Sequence, residues 1–449
     1  MTRESAEGLG RLGLGRGDRV LWSTASSLPA VVVNIAALRA GLVVVPVNAA
    51  YTERELAHVV ADVRPAAAIV DDRDRAEVVS RVGGGDVVVL TPDLEIFEDT
   101  PRAVHGAGGA SEGAVLDAAE PDDIALIAYT SGTTGAPKGA VLTHANLLAN
   151  SESIALTWRW DADDRLVHAL PIFHGHGLCV GLYTSLLAGS SVVLLPRFDV
   201  DAVFDACARH EATLFFGVPT MYHRLAASSR VGELGRLRLA VSGSAPLSAE
   251  LHRSIAASAG TEVLERYGMT ETLMTLSNPY DGERRPGTVG FPFPGVEARV
   301  EDDGAVIVRG PTVFSGYWER PAATSECFRD GWFSTGDLGV VEDGYVRLLG
   351  RSTDLIISGG YNVYPAEVED VLLGHPSVAE VAVTSAPSDE WGEVVCAWVV
   401  TDGVSPPDVD ALLAYAAHRL APYKRPRRVQ FVDSLPRNSM GKVRRTELR

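Results

Sequence analysis

Cysteine is scarce in this chain: 449 residues hold only Cys179, Cys207, Cys327 and Cys396, with no C-x-x-C pair. Thiols so dispersed do not make a disulfide framework, and they read as reduced core or surface groups of a cytoplasmic protein. Positive charge is also in deficit. Forty Lys and Arg stand against 58 Asp and Glu, a formal net charge of −18, which excludes a general nucleic-acid or anionic-membrane binder. Long apolar runs are missing. The best candidate, Pro29 to Pro46, is broken by Asn34 and Arg39 and is too short to span a bilayer, so no transmembrane segment is expected. The opening "MTRESAEGLG" has no apolar core of a signal peptide. There is no internal repeat.

What remains is the 46% hydrophobic, 22% charged composition of a soluble globular protein. Its length calls for at least two domains, because single cores seldom grow beyond about 250–300 residues. In the first third, β-branched runs alternate with Ala-rich stretches. "RVLWSTA", "LVVVPVN" and "AAAIVDD" read as strands, separated by helices over "LPAVVVNIAALRAG", closed by Gly41, and "TERELAHVVADVRP". The second helix opens with Thr52 and Glu55 at capping-box spacing and stops before Pro65. Apolar strands alternating with helices predict a parallel sheet covered on both faces. The pattern returns at "SSVVLLP", "ATLFFGVP" and "LRLAVSGSAPL". From about residue 287 to 350, short Gly- and Pro-punctuated runs predict a small antiparallel β subdomain. After that, "PAEVEDVLLGHP", "SVAEVAVTSAP", "EVVCAWVV" and "VDALLAYAAHRL" predict helix, strand, strand, helix. The expected fold class is therefore α/β. A large N-terminal domain (1–352) of parallel-rich sheets covered by helices carries the β subdomain, and a small α+β C-terminal domain (353–449) follows. The Gly/Ala-rich piece from Ala103 to Ala119 is the expected flexible loop.

The strongest local signal is "YTSGTTGAPKG", Tyr129 to Gly139. Glycines let a backbone approach phosphate oxygens, Ser and Thr hydroxyls donate to them, and Lys138 adds charge. It is not a Walker loop, where Lys follows Gly directly and Ser or Thr follows Lys, because Pro137 precedes Lys138 and Gly139 follows it. That order counts against a kinase or ordinary NTPase. A basic tail closes the chain, with ten Lys or Arg against Asp433 and Glu447 between Arg419 and Arg449. It is either a solvated face or a surface for a polyanionic ligand.

The loop "TSGTTGAPKG" resembles the phosphate loop of the adenylate-forming enzymes, the acyl-CoA synthetases and their relatives. Further segments resemble that family in the expected order: "LPIFHGHGL" (170–178), "VSGSAPL" (241–247), "ERYGMTET" (265–272), "STGDLG" (334–339), "GRSTDLIISGGYNVYPAEVE" (350–369) and "PRNSMGKVRR" (436–445). The resemblance implies an ATP-dependent, Mg²⁺-assisted adenylation of a carboxylic acid with release of pyrophosphate, followed by transfer of the acyl group to coenzyme A. It assigns Thr130, Ser131, Gly132, Thr133, Thr134 and Lys138 to the phosphates, and Glu271 to Mg²⁺, a hard cation suited to a carboxylate plus phosphate oxygens. Thr270 is placed at the nucleotide, Ser244, Ala245 and Tyr267 around the adenine, and Asp337 and Arg351 at the ribose. Lys442 is expected to bridge the acid and the α-phosphate. Gly359 and Gly360 would leave room for the pantetheine arm, and Lys424 and Arg427 would meet coenzyme A phosphates. In the family the C-terminal domain rotates between the half-reactions about a residue that is commonly Asp or Lys; here that position is Thr353.

Among acid-binding residues the resemblance implies His174 and Met274, while His176 is expected to be structural. Arg266 is the individual feature. It occupies a wall position that in the family is commonly small or amide-bearing, and a buried cation without a partner is costly. Either it faces an anionic group of the acid or it forms a structural salt bridge, to Glu265 or another carboxylate. "ERYGMTET", "FFGVPTMYHRL" and "LPIFHGHGL" together are similar to malonyl- and methylmalonyl-CoA synthetases, so a short dicarboxylate is the expected acid. A fatty- or aryl-acid ligase, or an adenylating enzyme loading a separate carrier protein, are the alternatives. No fused carrier is expected, because no G-x-D-S carrier motif follows Lys442.

Overall fold

The computed structural model describes residues 1–97, 116–130, 137–388, 390–401, 403, 409–437 and 442–448. The Gly/Ala-rich stretch through residue 115 and Ser131 to Thr134 of the phosphate motif lie outside the described residues.

Local signals place the elements that hold the site. Ser27 caps the helix Leu28–Arg39 by accepting from the Ala30 amide at 3.3 Å, and Gly41 turns the chain at φ 71°. The capping box is present at Glu53–Val63. Thr52 Oγ1 accepts from the Glu55 amide, and the Glu55 carboxylate accepts from the Thr52 amide at 2.7 Å. Two orphan donors are thereby satisfied at once.

Two seven-stranded sheets form the body. The first runs, in spatial order, Gly316–Tyr317, Lys138–Thr143, Ile124–Thr130, Val43–Pro46, Arg19–Ser23, Ala67–Val70 and Val88–Leu90. The second runs Phe291–Pro292, Leu273–Ser277, Leu264–Met269, Leu239–Ser242, Leu214–Gly217, Arg165–His168 and Ser191–Leu194. Strands such as Ala67–Val70 and Leu239–Ser242 are buried at every position, as a sheet covered on both faces requires.

The expected parallel-rich sheets are present, and each also has an antiparallel edge. Each is parallel through its middle and far edge, but turns antiparallel at one edge, where Ile124–Thr130 meets Lys138–Thr143 and Leu264–Met269 meets Leu273–Ser277. The physical reason is connection length: a few residues close a hairpin, whereas a parallel crossover needs a dozen or more. Those two antiparallel edges carry the phosphate motif and "ERYGMTET".

The third sheet is antiparallel throughout, as expected for the β subdomain. Its strands are Glu297–Val300, Ala305–Arg309, Trp332–Glu342, Tyr345–Arg351 and Phe328–Arg329. A fourth sheet (Tyr361–Val363, Ile356–Ser358, Gly392–Thr401, Val378–Ser388 and Arg428–Phe431) packs with the helices Pro365–Leu373 and Val409–Ala417. It has its own core, including Ile356, Val368, Leu372, Val383, Ala397 and Leu412. The α/β body with a small α+β unit matches the expected fold class. Among the described residues, no helix is long and apolar enough to cross a membrane.

Candidate active site

Register brings together Asp337 and Arg351, the two residues expected at the ribose. Asp337 and Arg351 lie opposite each other on neighbouring antiparallel strands, and Arg351 Nε meets Asp337 Oδ1 at 2.7 Å. Tyr267 reaches across from the second sheet and donates its hydroxyl to Asp337 Oδ2. Thr335 completes the corner. Its Oγ1 accepts from the Asp337 amide at 3.0 Å, and its carbonyl accepts from Arg351 at 3.3 Å. Burial raises the Asp337 pKa and outweighs the Arg351 charge that lowers it. Lys442 joins the same field. Desolvation and then Arg351 lower its pKa, while Asp337 pulls it back up. Close by, Arg445 ties the C-terminal segment to Glu369 at 2.7 Å and to Asp354 at 3.5 Å. Asp354 ends the 3₁₀ turn Ser352–Asp354, which contains Thr353.

Glu271 sits in the short connection between Leu264–Met269 and Leu273–Ser277 and is 5% exposed. Its Oε1 accepts from the Tyr317 hydroxyl at 3.0 Å, and burial raises its pKa. No group of three or more His, Cys, Asp or Glu suited to a metal occurs among the described residues. A single desolvated carboxylate of this kind fits a cation that keeps most of its ligands from phosphate and water, the habit of Mg²⁺. Lys138 lies 5.0 Å from the centroid of the Tyr317 ring. Thr130 and Lys138 face each other across the antiparallel pair at the base of the phosphate motif. Thr270, half-buried, precedes Glu271 directly.

Ser244 and Ala245 follow the strand Leu239–Ser242, and Ser244 holds a left-handed φ of 71°. Its Oγ lies 3.3 Å from His176 Nδ1. His176 opens a π-helix, His176–Tyr183, and widened turns of this kind recur at functional sites. Gly177 permits that start, because a Cβ there would fall 2.2 Å from the Pro171 carbonyl oxygen. His174 Nδ1 accepts from the His176 amide at 3.3 Å. Burial, with Arg266 adding to it, lowers the His174 pKa to about 4, and the same causes push that of His176 well below the ordinary imidazole value. Both imidazoles are therefore neutral near pH 7.

Arg266 is the cation among them. It is 3% exposed, and neither Nε nor Nη2 has a hydrogen-bond partner among the described residues. The salt bridge to Glu265 does not form. Successive side chains on a strand point to opposite faces, and Glu265 instead accepts from the Leu247 amide at 2.9 Å. Burial raises the Glu265 pKa to about 8, so at neutral pH that carboxyl is largely uncharged. Burial pushes the Arg266 guanidinium down to about 9, the direction expected of a cation held without a counter-ion. The guanidinium rests on Gly243, where a Cβ would lie 2.3 Å from Arg266 Cζ. Met274 is buried beside Gly268, with its amide held by Asn150 Oδ1 at 3.1 Å.

On the small unit, Gly359 and Gly360 both adopt positive φ, and the Trp391 ring covers Gly359. Arg427 stacks over Trp391 at 3.8 Å. Lys424 is held by both oxygens of Glu367, at 2.6 and 2.7 Å. The structure thus gathers Tyr267, Asp337, Arg351 and Lys442 at one corner, Lys138 and Glu271 at another, and His174, Ser244 and Arg266 at a third. Ser131 to Thr134 are not described. His176, expected to be structural, lies beside Ser244. Two residues outside the sequence expectations, Tyr317 and Gly243, have meaning only through partners distant in sequence. The "SGY" of Ser315 to Tyr317 and the glycine between Ser242 and Ser244 were the available signals.

The AMP-binding enzyme family matches residues 1–318, and the AMP-binding enzyme C-terminal domain matches residues 367–442. Among solved structures, ATP-bound MatB from Rhodopseudomonas palustris superposes with a TM-score of 0.91 at 45% identity. That match covers 100% of this chain and 91% of the other. A malonate–CoA ligase of Arabidopsis thaliana is 36% identical over 91% of this chain and 74% of its own length. A feruloyl-CoA synthase of an Amycolatopsis species is 37% identical over 99% of this chain and 91% of its own length.

Proposed function

The chain belongs to the AMP-binding enzyme family and is an AMP-forming acyl-CoA ligase; from that premise we propose that its acid is a short dicarboxylate such as malonate or methylmalonate. The observation that carries this reading is Arg266, a buried guanidinium whose Nε and Nη2 have no hydrogen-bond partner among the described residues and whose neighbouring histidines are neutral. A second carboxylate on the acid offers the geometry a guanidinium favours, two parallel charge-assisted hydrogen bonds. A monocarboxylate would leave the donors desolvated and unsatisfied. The similarity to a malonate–CoA ligase supports the reading, and the similarity to a feruloyl-CoA synthase gives the competitor.

In the first half-reaction one oxygen of the near carboxylate attacks the α-phosphorus of ATP and pyrophosphate leaves. Positioning and neutralisation of like charges carry most of that step. Lys442 bridges the carboxylate and the α-phosphate, Asp337 and Arg351 hold the ribose, and Tyr267 orients Asp337 while bordering the adenine. Lys138 meets the outer phosphates. Glu271 would hold Mg²⁺, which when bound would supply positive charge against the phosphate oxygens. In the second half-reaction the coenzyme A thiol releases its proton to solvent, its sulfur attacks the acyl carbonyl, and AMP departs with the bonding pair. The unit beyond Ser352 turns for this step, withdrawing Lys442 and bringing Gly359 and Gly360 to the thiol channel.

A panel of malonate, methylmalonate, butyrate, octanoate and ferulate, each assayed with coenzyme A and with purified carrier protein as acceptor, tests the proposal. Highest kcat/KM for a dicarboxylate with coenzyme A supports it. Preference for octanoate or ferulate replaces the acid, and preference for carrier protein replaces the acceptor.

A further inference from the structure

Lys138 and Glu271 carry opposite charges and flank the same aromatic ring, yet no ion pair joins them among the described residues. Tyr317 stands between them. Its hydroxyl donates to Glu271 Oε1 at 3.0 Å, and its ring lies under the Lys138 ammonium at 5.0 Å. A lysine that reached this desolvated carboxylate would make a strong contact in low dielectric. Each charge would then be spent on the other before a nucleotide arrived.

The ring is fixed on several sides. The strand Gly316–Tyr317 pairs antiparallel with Lys138–Thr143, Tyr317 facing Ala140. The Tyr317 amide donates to Thr324 Oγ1 at 2.9 Å, and the next amide, of Trp318, donates to the Gly139 carbonyl at 2.8 Å. Phe314 packs edge-on at 4.9 Å, and its own amide donates to the Glu271 carbonyl at 2.8 Å. Gly316 is needed for this approach, since a Cβ there would lie 2.6 Å from Thr324 Cγ2. The tyrosine is therefore locked by the same backbone that carries Lys138 and supports Glu271.

We propose that Tyr317 is a positioning residue that keeps the phosphate lysine and the metal-binding carboxylate apart and ready. Its hydroxyl fixes one oxygen of Glu271 and leaves the other for the cation, and its π face gives Lys138 a resting place that does not neutralise it. The inference rests on the assignment of Glu271 to Mg²⁺ made above.

Three variants in the full chain separate the possibilities, with ATP binding followed by calorimetry across a Mg²⁺ titration, and KM and kcat measured alongside. In Tyr317→Phe the ring stays and the hydroxyl is lost, so the Mg²⁺ midpoint of ATP binding rises about tenfold or more, with KM for the acid unchanged. In Tyr317→Leu both functions go, so ATP affinity falls further while the melting temperature is held or raised by the new Lys138–Glu271 pair. Glu271→Gln is the reference, and it shifts the Mg²⁺ midpoint if the metal assignment holds. A shift in Glu271→Gln without one in either Tyr317 variant overturns the inference and leaves the assignment standing. No shift in Glu271→Gln overturns the assignment itself. A lower melting temperature in the Tyr317 variants, with unchanged Mg²⁺ midpoint and ATP affinity, shows a merely structural tyrosine and also overturns the inference.

Discussion

Replacing Gly243 by alanine tests the acid pocket without changing any charged residue. The added Cβ would lie 2.3 Å from Arg266 Cζ, 2.4 Å from Nε and 2.7 Å from Nη1, where carbon contacts begin near about 3.5 Å. Gly243 does not require a left-handed backbone, so alanine introduces no strain of its own and the guanidinium must give way by about 1 Å. A shift of that size breaks at least one of two parallel hydrogen bonds to a distal carboxylate. One hydrogen bond to a charged group is worth about 1.5–3 kcal/mol, or about 10- to 150-fold in kcat/KM. The assay compares malonate with 3-methylbutyrate, in which an uncharged isopropyl group stands where the second carboxylate was, at saturating ATP and coenzyme A. Malonate turnover falls by that factor, and 3-methylbutyrate turnover changes little or improves. Equal losses for both acids, or an unchanged malonate value in a folded variant, would refute the reasoning that Gly243 makes room for a substrate-facing arginine.

Two further outcomes follow from the same geometry. Glu265 has its pKa raised by burial from 4.5 to about 8; between those values the folded chain keeps a proton that the unfolded chain releases. Stability therefore falls as pH rises from 4.5 toward 8, by at most about 5 kcal/mol, and is level above that window. Glu265→Gln, which keeps an acceptor for the Leu247 amide, flattens this slope in thermal melts from pH 5 to 8; parallel curves for the two proteins contradict the buried, protonated carboxyl. Lys442→Ala abolishes acid-dependent pyrophosphate release while sparing thiolysis of supplied acyl-adenylate, and intact adenylation would remove Lys442 from the first half-reaction.

Much of this molecule was readable from residues alone because its signals are local. Thr52 and Glu55 announce a helix start, Gly41 ends another, and the short Gly- and Pro-punctuated runs between about residues 287 and 350 announce a subdomain whose strands pair antiparallel as expected. The nucleotide motifs are local too. Asp337 and Arg351 belong to separate segments, but the hairpin between them fixes their meeting by register.

What stayed hidden depends on long-range packing. Nothing in "LPIFHGHGL" declares a π-helix, because its widened turns answer to Pro171 and to the strand behind them rather than to a periodicity. The mixed edges of the two sheets were obscured by near-continuous apolar strands, which look alike in either direction. Sequence alone leaves Arg266 between an anionic group of the acid and a salt bridge to Glu265 or another carboxylate. Strand alternation already separates the two side chains, but only the structure shows Glu265 engaged with Leu247 and largely uncharged at neutral pH.

The most direct test of the central claim is the ratio of kcat/KM for malonate to that for 3-methylbutyrate, measured in the wild-type enzyme and in Arg266→Gly. If the buried guanidinium receives the second carboxylate, the wild type prefers malonate and the variant loses about a hundredfold or more of that ratio, with KM for ATP unchanged. A ratio that is the same in both proteins, or a wild type that favours the monocarboxylate, would contradict the account.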